Sequence, residues 1–322
     1  MLRQEFKKLL AQLDSLTRAQ KQGLLNQVKA NLETERSIDL IESHFEKVDS
    51  CKYCGSCSLS KWGKSHQLQR YRCKDCNRTF NALTGTNLAR LRHKDRWISY
   101  SACLNEGFTV RKAAEYCGVD LKTAFRWRHR FLTAPTQNKQ QKMVGIVEAD
   151  ETFFTESRKG DGHLLHRPAR KRGVSNKKNL GERVPVLIVR DRNGTVADFV
   201  FNKIEKNTMH ACLRPLMSKE IVLCSDGSSI YQTFSKEENI PHRRIIGLDK
   251  TYVIDDIFHI QNLNAYTSRL KSWMVRFNGV ATKYLPNYLG WRRILEKQKE
   301  GLSEEFCFHQ ALGLIDQQLM PT

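Results

Sequence analysis

Residues 146–154 read IVEADETFF, and the rest of the fold is predicted to form around this stretch. Its first two residues are apolar and β-branched, which favours a buried strand. Three carboxylates follow, at Glu148, Asp150 and Glu151. Carboxylates at the end of a buried strand are costly unless a partner binds them, and a divalent metal ion is the usual partner. The stretch therefore predicts a metal site whose first ligand is Asp150, with Glu148 and Glu151 in supporting or structural roles.

The overall composition indicates a polyanionic partner. The 322 residues include 54 Lys or Arg and 34 Asp or Glu, which gives a net charge of +20 and a pI near 9.6. Nucleic acid is the leading candidate, ahead of a membrane surface, because no basic amphipathic anchor is evident. A chain of this length can form two or three domains with a sizeable core.

The N-terminal sequence MLRQEFKKLL lacks the apolar segment of a secretory signal. No run approaches the ~18–20 apolar residues of a membrane span. We therefore expect a cytoplasmic protein with no membrane association. Ten cysteines in that compartment favour metal sites or core positions over disulfides.

Two cysteine pairs predict a metal-bound ribbon. Cys51 and Cys54 form the first CxxC, Cys73 and Cys76 the second, and 18 residues separate the pairs. This spacing is typical of a tetrahedral, four-thiolate structural Zn²⁺ site. Redox pairs and an iron–sulfur cluster are the alternatives, and Cys57 is treated as a bystander. The loop between the pairs is basic, which suits a ribbon that touches DNA: Lys61, Lys64, Arg70.

Residues 94–132 show the pattern of a helix-turn-helix. Thr109 is placed to cap a short helix, and Gly118 is placed at the tight turn between helices. A second helix over 121–131 directs Ala124, Trp127 and Phe131 inward. Its predicted outer face is basic and could enter a major groove: Lys122, Arg126, Arg128, His129, Arg130. The alternative is an ordinary helical hairpin with a solvated basic face.

Residues 144–202 predict three strands, at 144–154, 184–190 and 195–201, with a hairpin turn at 191–194 (DRNG). Between the first two strands lies a glycine-rich insertion, residues 157–183, that carries nine Lys or Arg. An insertion this basic beside an acidic site is expected to hold phosphates, with Arg170, Lys171 and Arg172 as DNA contacts. A solvated loop is the alternative.

Two later segments complete the predicted site. A short apolar strand over 221–224 leads to Asp226, a second acid at a strand end, although an Asp before Gly is often only a turn residue. A regular helix over 256–278 carries Asn264 and Lys271, which are two helical turns apart on one border of its apolar stripe. Two ordinary boundary residues are the alternative there.

Two strand-end aspartates and a polar position on a late helix match the way a ribonuclease-H-like α/β fold, a mixed sheet with flanking helices, assembles a metal site. The spacings are 76 residues from Asp150 to Asp226 and 38 more to Asn264. Two hard cations held by carboxylate oxygens can activate water or a 3′-hydroxyl and stabilise the leaving oxygen.

The motifs resemble those of bacterial insertion-sequence transposases, in the group with an N-terminal zinc ribbon and an ISXO-like DDE domain. The resemblance covers roughly residues 45–295. It is carried by these motifs: VEADET at 147–152, SDG at 225–227, His259, Asn262 and Asn264 followed by Lys271, and ATKYLPNYLGW at 281–291.

The resemblance implies a DNA transposase that binds the terminal inverted repeats of its element and cleaves at the ends with Mg²⁺ or Mn²⁺. The freed 3′-hydroxyl then attacks target double-stranded DNA. Asp150 and Asp226 carry over as metal ligands, Asn264 stands where the third acid is expected, and Lys271 is the following basic residue, so the pattern is Asp-Asp-Asn-Lys. A homo-oligomer on DNA, associated with the bacterial nucleoid, is also implied.

Two alternatives follow from the same residues. The neutral Asn264 suggests a catalytically impaired DNA-binding regulator derived from a transposase, and a nuclease relative that acts in repair is a weaker third reading. The predicted organisation along the chain is as follows: an N-terminal segment of two or three short amphipathic helices (1–46) for packing or oligomerisation, a zinc ribbon (47–90), a helix-turn-helix (91–132), a linker (133–143), a ribonuclease-H-like domain (144–295) and a tail (296–322).

Overall fold

The computed structural model describes residues 3–43, 45, 48–137, 142–162, 183–246, 252–297 and 303–313. The chain divides into two compact units. One comprises Met1–Phe125 with Leu302–Thr322, and the other comprises Arg126–Gly301.

Eleven α-helices and eight strands are assigned in the described residues. The helices are α1 (Arg3–Gln12), α2 (Arg18–Ser43), α3 (Trp97–Asn105), α4 (Val110–Cys117), α5 (Leu121–Phe131), α6 (Thr133–Gln137), α7 (Lys206–Leu213), α8 (Ser229–Glu238), α9 (Gln261–Val275), α10 (Leu285–Lys297) and α11 (Glu304–Leu312). The strands are β1 (Leu59–Ser65), β2 (Leu68–Cys73), β3 (Thr79–Phe80), β4 (Ile146–Thr155), β5 (Arg183–Asp191), β6 (Val196–Val200), β7 (Val222–Ser225) and β8 (His242–Arg244).

In the first unit, the N-terminal segment differs from its prediction in length. It forms two helices, and α2 runs for 26 residues where short helices were expected. The end of α2 is anchored, because Ile38 and Ile41 are buried. Four apolar residues earlier in α2 remain exposed, Leu24, Leu25, Val28 and Leu32, as do Phe6, Leu9 and Leu10 of α1. Strands β1, β2 and β3 then form an antiparallel three-stranded sheet, which is the ribbon.

The helix-turn-helix forms as its pattern predicts. Thr109 caps α4 by accepting a hydrogen bond from the Lys112 backbone N–H, and Gly118 ends it in the left-handed conformation at φ 59°. A β-branched residue would be strained there, so glycine determines the turn into α5. Ala124 and Trp127 of α5 are buried. The Tyr100 hydroxyl of α3 donates to the Ala124 carbonyl at 2.7 Å and ties the helices together.

The C-terminal segment predicted as a tail contains a helix. Ser303 caps α11 through the Phe306 N–H, and Gly313 ends it at φ 80°. Phe308 is fully buried, with its ring 6.1 Å from that of Trp97. An apolar helical face that short is hard to recognise from sequence alone, because short helices depend on tertiary packing, here against α3.

The second unit contains a five-stranded mixed sheet of order β6-β5-β4-β7-β8. Strand β5 is antiparallel to both of its neighbours, while β4, β7 and β8 are parallel. Helices α7 and α8 flank β7 in the chain and bury Met209, Leu213 and Tyr231 against the sheet residues Val147 and Leu223. This order and these directions are those of a ribonuclease-H-like fold, so the predicted α/β class is confirmed.

The predicted strands lie within two residues of the observed ones, but strand β8 and helices α6 and α10 were not predicted. Strand β8 is three residues of basic sequence at the sheet edge. Helix α6 occupies the first part of the predicted linker 133–143. Arg293 fixes this helix by donating to the Pro135 carbonyl at 2.9 Å. Gly290 permits the close approach, because a Cβ there would lie 2.9 Å from the same carbonyl oxygen.

Candidate active site

The sheet brings three carboxylates together. Strands β4 and β7 are parallel neighbours in which Ala149 pairs with Ser225. The next residue of each segment is an aspartate, so Asp150 lies beside Asp226. Asp226 follows the end of β7, as predicted, whereas Asp150 lies within β4 and not at its end, because that strand continues to Thr155. Glu151 joins them, and one oxygen from each of the three acids lies within 4.8 Å of the others. The two aspartates meet as the sequence predicted, whereas Glu151 was expected to play only a supporting part.

Burial and the neighbouring charges make Asp150 and Glu151 hard to ionise. Desolvation raises the pKa of Asp150 to about 6; the Glu151 backbone N–H opposes this shift, and the charge of Asp226 adds to it. Burial also raises the pKa of Glu151. The Lys271 ammonium acts in the opposite direction on Asp150, which places Lys271 within electrostatic reach of the cluster. Such a group is stabilised by a bound cation.

Tyr231 is the residue that sequence reasoning missed. It lies on α8, and its hydroxyl donates to Glu151 Oε1 at 2.5 Å. The phenol is fully buried, and this burial together with the neighbouring acids raises its pKa well above the usual range, so it remains a donor. The only sequence signal was its helical position after SDG, which is equally typical of a core tyrosine.

Helix α9 presents Asn264 and Lys271 as exposed residues. The helix is shorter than the predicted 256–278, and Tyr266 and Trp273 share its buried face with Leu263 and Leu270. Within the described residues, no hydrogen bond joins the Asn264 side chain to the three acids. The structure thus places Lys271 within electrostatic reach of Asp150 but shows no hydrogen bond from the Asn264 side chain to the carboxylates in the described residues.

A buried glutamate positions the start of α9. Glu148 on β4 is 1% exposed, and its Oε2 accepts the Leu263 N–H at 2.8 Å. Its Oε1 lies 3.3 Å from Arg192 and 3.6 Å from His259 Nδ1. Burial raises the pKa of Glu148, while the Leu263 N–H and Arg192 lower it. This network links the strand of Asp150 to the helix of Lys271, a structural role of the kind the sequence predicted.

The four ribbon cysteines converge on one point. Their sulfurs all lie within 4.8 Å of one another, and the pairs Cys51–Cys76 and Cys54–Cys73 are each 3.6 Å apart. A tetrahedral ion with bonds of about 2.3 Å separates its sulfurs by roughly 3.8 Å, so the cluster fits Zn²⁺ without rearrangement. The Cys76 N–H lies 3.5 Å from the sulfur of Cys73 and lowers the pKa of that thiol to about 6.

The basic face of α5 is narrower than predicted. Lys122 and Arg126 are exposed, and Arg130 is partly exposed. The prediction that Arg128 lies on the outer face is wrong: it is 0% exposed, and its guanidinium lies 4.6 Å from the centre of the Trp291 ring. His129 is also turned inward and stacks on Tyr284 at 3.6 Å. The predicted contacts Arg170, Lys171 and Arg172 lie outside the described residues.

Comparison with known proteins defines the class. Residues 94–135 match a homeodomain-like domain of the helix-turn-helix type, and residues 142–292 match an ISXO2-like transposase domain. The chain thus contains a domain similar to ISXO2-like transposase domains, preceded by a homeodomain-like helix-turn-helix, which confirms the resemblance read from the sequence.

A protein of similar sequence is found in a transposable element. It is an uncharacterized protein in transposable element ISH50 of Halobacterium salinarum, 27% identical over 250 residues, which cover 74% of this chain and 82% of the relative.

Similar solved structures include a simian T-cell lymphotropic virus intasome in complex with PP2A regulatory subunit B56 gamma. It has 12% identity and a TM-score of 0.31, and the match covers 69% of this chain and 76% of that one. A pre-cleavage Mos1 transpososome has 13% identity, coverages of 67% and 78%, and a TM-score of 0.26. None of the helices in the described part of the chain is long and apolar enough to cross a membrane.

Proposed function

We propose that this chain is a DNA transposase that binds the terminal inverted repeats of an insertion sequence. It cleaves phosphodiester bonds at the element ends and joins the freed 3′-hydroxyl to target double-stranded DNA. The observation that carries the proposal is the cluster of Asp150, Glu151 and Asp226 within an ISXO2-like domain that follows a helix-turn-helix.

The acidic cluster fits Mg²⁺ or Mn²⁺. Three carboxylates offer hard oxygen ligands within 4.8 Å of one another, which suits these ions better than softer metals. Asp150 and Asp226 are the principal ligands, Glu151 completes the charge of the set, and the Asn264 amide oxygen is a weaker, neutral donor. When bound, the metal supplies charge neutralisation at the scissile phosphate and makes a water or 3′-hydroxyl more acidic.

The chain's own residues position the DNA for in-line attack at phosphorus. Lys271 neutralises a phosphate oxygen next to the scissile bond, a role supported by its electrostatic effect on Asp150. Glu148 holds the N-terminal end of α9, which carries Lys271, against β4. Tyr231 fixes the orientation of Glu151. Positioning and charge neutralisation account for most of the barrier reduction in phosphoryl transfer.

Several segments of the chain bind DNA. The zinc ribbon (47–90) and the helix-turn-helix (91–132) hold the element end, with Lys122, Arg126 and Arg130 on α5. The insertion residues Arg170, Lys171 and Arg172 hold phosphates near the catalytic domain (144–295). The protein acts in the cytoplasm, on nucleoid DNA, as a homo-oligomer.

End cleavage in vitro tests the proposal. Labelled duplexes that carry the inverted repeats flanking the gene are incubated with the protein and Mg²⁺ or Mn²⁺, beside scrambled duplexes. We expect cleavage at the element ends and strand transfer. Asp150→Ala and Asp226→Ala are expected to lower the rate at least about 100-fold. Glu220→Ala is the matched control, because Glu220 is an exposed acid before β7, at the far end of that strand from Asp226.

Two results would overturn the proposal. One is specific binding to the repeats without cleavage in the presence of either Mg²⁺ or Mn²⁺. The protein would then be the catalytically impaired DNA-binding regulator that Asn264 suggests. The other is cleavage that survives both aspartate substitutions, which places the chemistry elsewhere.

A further inference from the structure

Helix α2 exposes an apolar stripe that no residue of the described chain covers. Leu24, Leu25, Val28 and Leu32 are 41–59% exposed. At 100° per residue, all of them lie within about 60° of Val28 around the helix axis. Lys21 and Glu35 lie on the same stripe at its two ends and are also exposed. Large apolar side chains grouped in this way on one helix face mark an interaction surface.

We propose that this stripe binds the same stripe of a second copy of the chain, with the two α2 helices antiparallel and crossing at Val28. In this arrangement Val28 meets Val28 of the second copy, and Leu24 faces Leu32. The stripe is symmetric about Val28 in sequence, because Leu24 and Leu32 are each four residues from it. A two-fold interface requires such a self-complementary surface.

The charges at the ends of the stripe select the antiparallel direction. Lys21 and Glu35 are each seven residues from Val28. Antiparallel pairing therefore places Lys21 of each copy opposite Glu35 of the other, which gives two complementary ion pairs. Parallel pairing would place Lys21 opposite Lys21 and Glu35 opposite Glu35, and like charges oppose association. Within the described residues, neither side chain is engaged in an ion pair of its own chain.

The charge of the segment favours a second copy over DNA as the occupant. Residues 3–43 contain seven basic and six acidic side chains, so this segment contributes only +1 to a chain of charge +20. A surface that binds phosphates is expected to be strongly basic. The apolar stripe and its balanced ends instead fit a helix of the same composition. The α2 interface would assemble the homo-oligomer of the proposed function, and because it is tested without DNA or cleavage, its failure would leave the catalytic proposal standing.

Charge exchange combined with sedimentation velocity tests the interface on the full chain without DNA. Lys21→Glu and Glu35→Lys each place like charges opposite one another, so each is expected to weaken dimerisation about tenfold or more. The double variant restores both pairs in reversed order and is expected to dimerise within about threefold of the wild type. Val28→Glu removes the centre of the stripe and is expected to give a monomer.

The matched control is Val275→Glu, because Val275 is an exposed valine on a helix of the other unit. It is expected to leave dimerisation unchanged. Circular dichroism checks that each variant remains folded, as expected for substitutions at exposed positions. A wild-type chain that is monomeric at all concentrations, as when α1 covers the stripe in the same chain, would overturn the proposal. So would a double variant as weak as the single ones.

Discussion

At the residue scale, the hydroxyl of Tyr231 is the contact most open to a direct test. It donates to Glu151 at 2.5 Å from a fully buried ring. A hydrogen bond to a charged group contributes about 1.5–3 kcal/mol, and its loss leaves Glu151 less oriented and harder to ionise. We therefore expect Tyr231→Phe to weaken Mn²⁺ binding about tenfold, as measured by isothermal titration calorimetry. Tyr116→Phe, at an exposed tyrosine, should not change the affinity. An unaltered Mn²⁺ affinity in Tyr231→Phe would exclude Glu151 from the metal site.

His129 gives the fold a pH dependence. Burial, followed by the charges of Arg128 and Lys283, lowers its pKa from 6.5 to about 4. The unfolded chain therefore binds a proton between these pH values that the folded chain does not, so stability falls as the pH decreases from about 6.5 to 4.

Replacing His129 with Gln should remove the pH-dependent part of the unfolding free energy that His129 contributes, about 1–3 kcal/mol between pH 6.5 and pH 4. Urea unfolding at pH 7.5 and pH 4.5 measures it, and the difference in unfolding free energy between the two pH values should shrink in His129→Gln. If the unfolding free energy changed between the two pH values by the same amount in the variant and the wild type, a group other than His129 would be responsible for the pH dependence.

At the element scale, the ribbon should depend on its metal. Four thiolates leave a Zn²⁺ ion no open position, so the ion contributes folding energy and not chemistry. The wild-type chain is expected to bind about one zinc ion, and Cys54→Ser is expected to bind much less. The loss of the ion should also make residues 48–80 sensitive to proteolysis. Cys57→Ser is the matched control, because Cys57 is exposed and outside the cluster. Mass spectrometry measures the zinc content of each variant. A Cys54→Ser variant that retains its zinc would refute the four-cysteine site.

Elements with a local signal were predicted closely from sequence. Helix α5 begins and ends at the predicted residues, because its period, its preceding turn at Gly118 and its apolar face agree. Strand β4 is displaced from its prediction by at most two residues. Helix α6 and strand β8 were missed because neither has enough residues to show a period. Both are stabilised by partners distant in sequence, such as Arg293 for α6.

Parts of the site that depend on contacts distant in sequence could not be predicted. In an extended strand, neighbouring side chains point to opposite faces, so the strand pattern does not predict that Glu151 joins Asp150 in one cluster. The burial of Arg128 depends on Trp291, which is far along the chain. Helical spacing placed Arg128 next to the basic face, but spacing does not show that a second apolar surface covers that side. Asp226 was predictable as a site residue because it follows the end of an apolar strand. Asp150 was predictable because it follows the apolar start of β4, although it lies within that strand and not at its end.

At the scale of the whole molecule, the excess of 20 positive charges should dominate DNA affinity. Each phosphate contact releases counterions, so the logarithm of the binding constant falls linearly with the logarithm of the salt concentration. Replacing Lys122, Arg126 or Arg130 with Ala should each reduce the magnitude of that slope by about 1.

Arg128 provides the contrast, because it is buried on Trp291 and not free to reach a phosphate. Arg128→Met should destabilise the fold yet leave the salt slope unchanged. Fluorescence anisotropy with labelled duplex DNA from 50 to 200 mM salt measures both sets of variants, at a temperature where circular dichroism shows each to be folded. A slope reduced by Arg128→Met as much as by Arg126→Ala would mean that α5 turns a different face to DNA. The structure instead predicts that, of the arginines and lysines on α5, Lys122, Arg126 and Arg130 contribute and Arg128 does not.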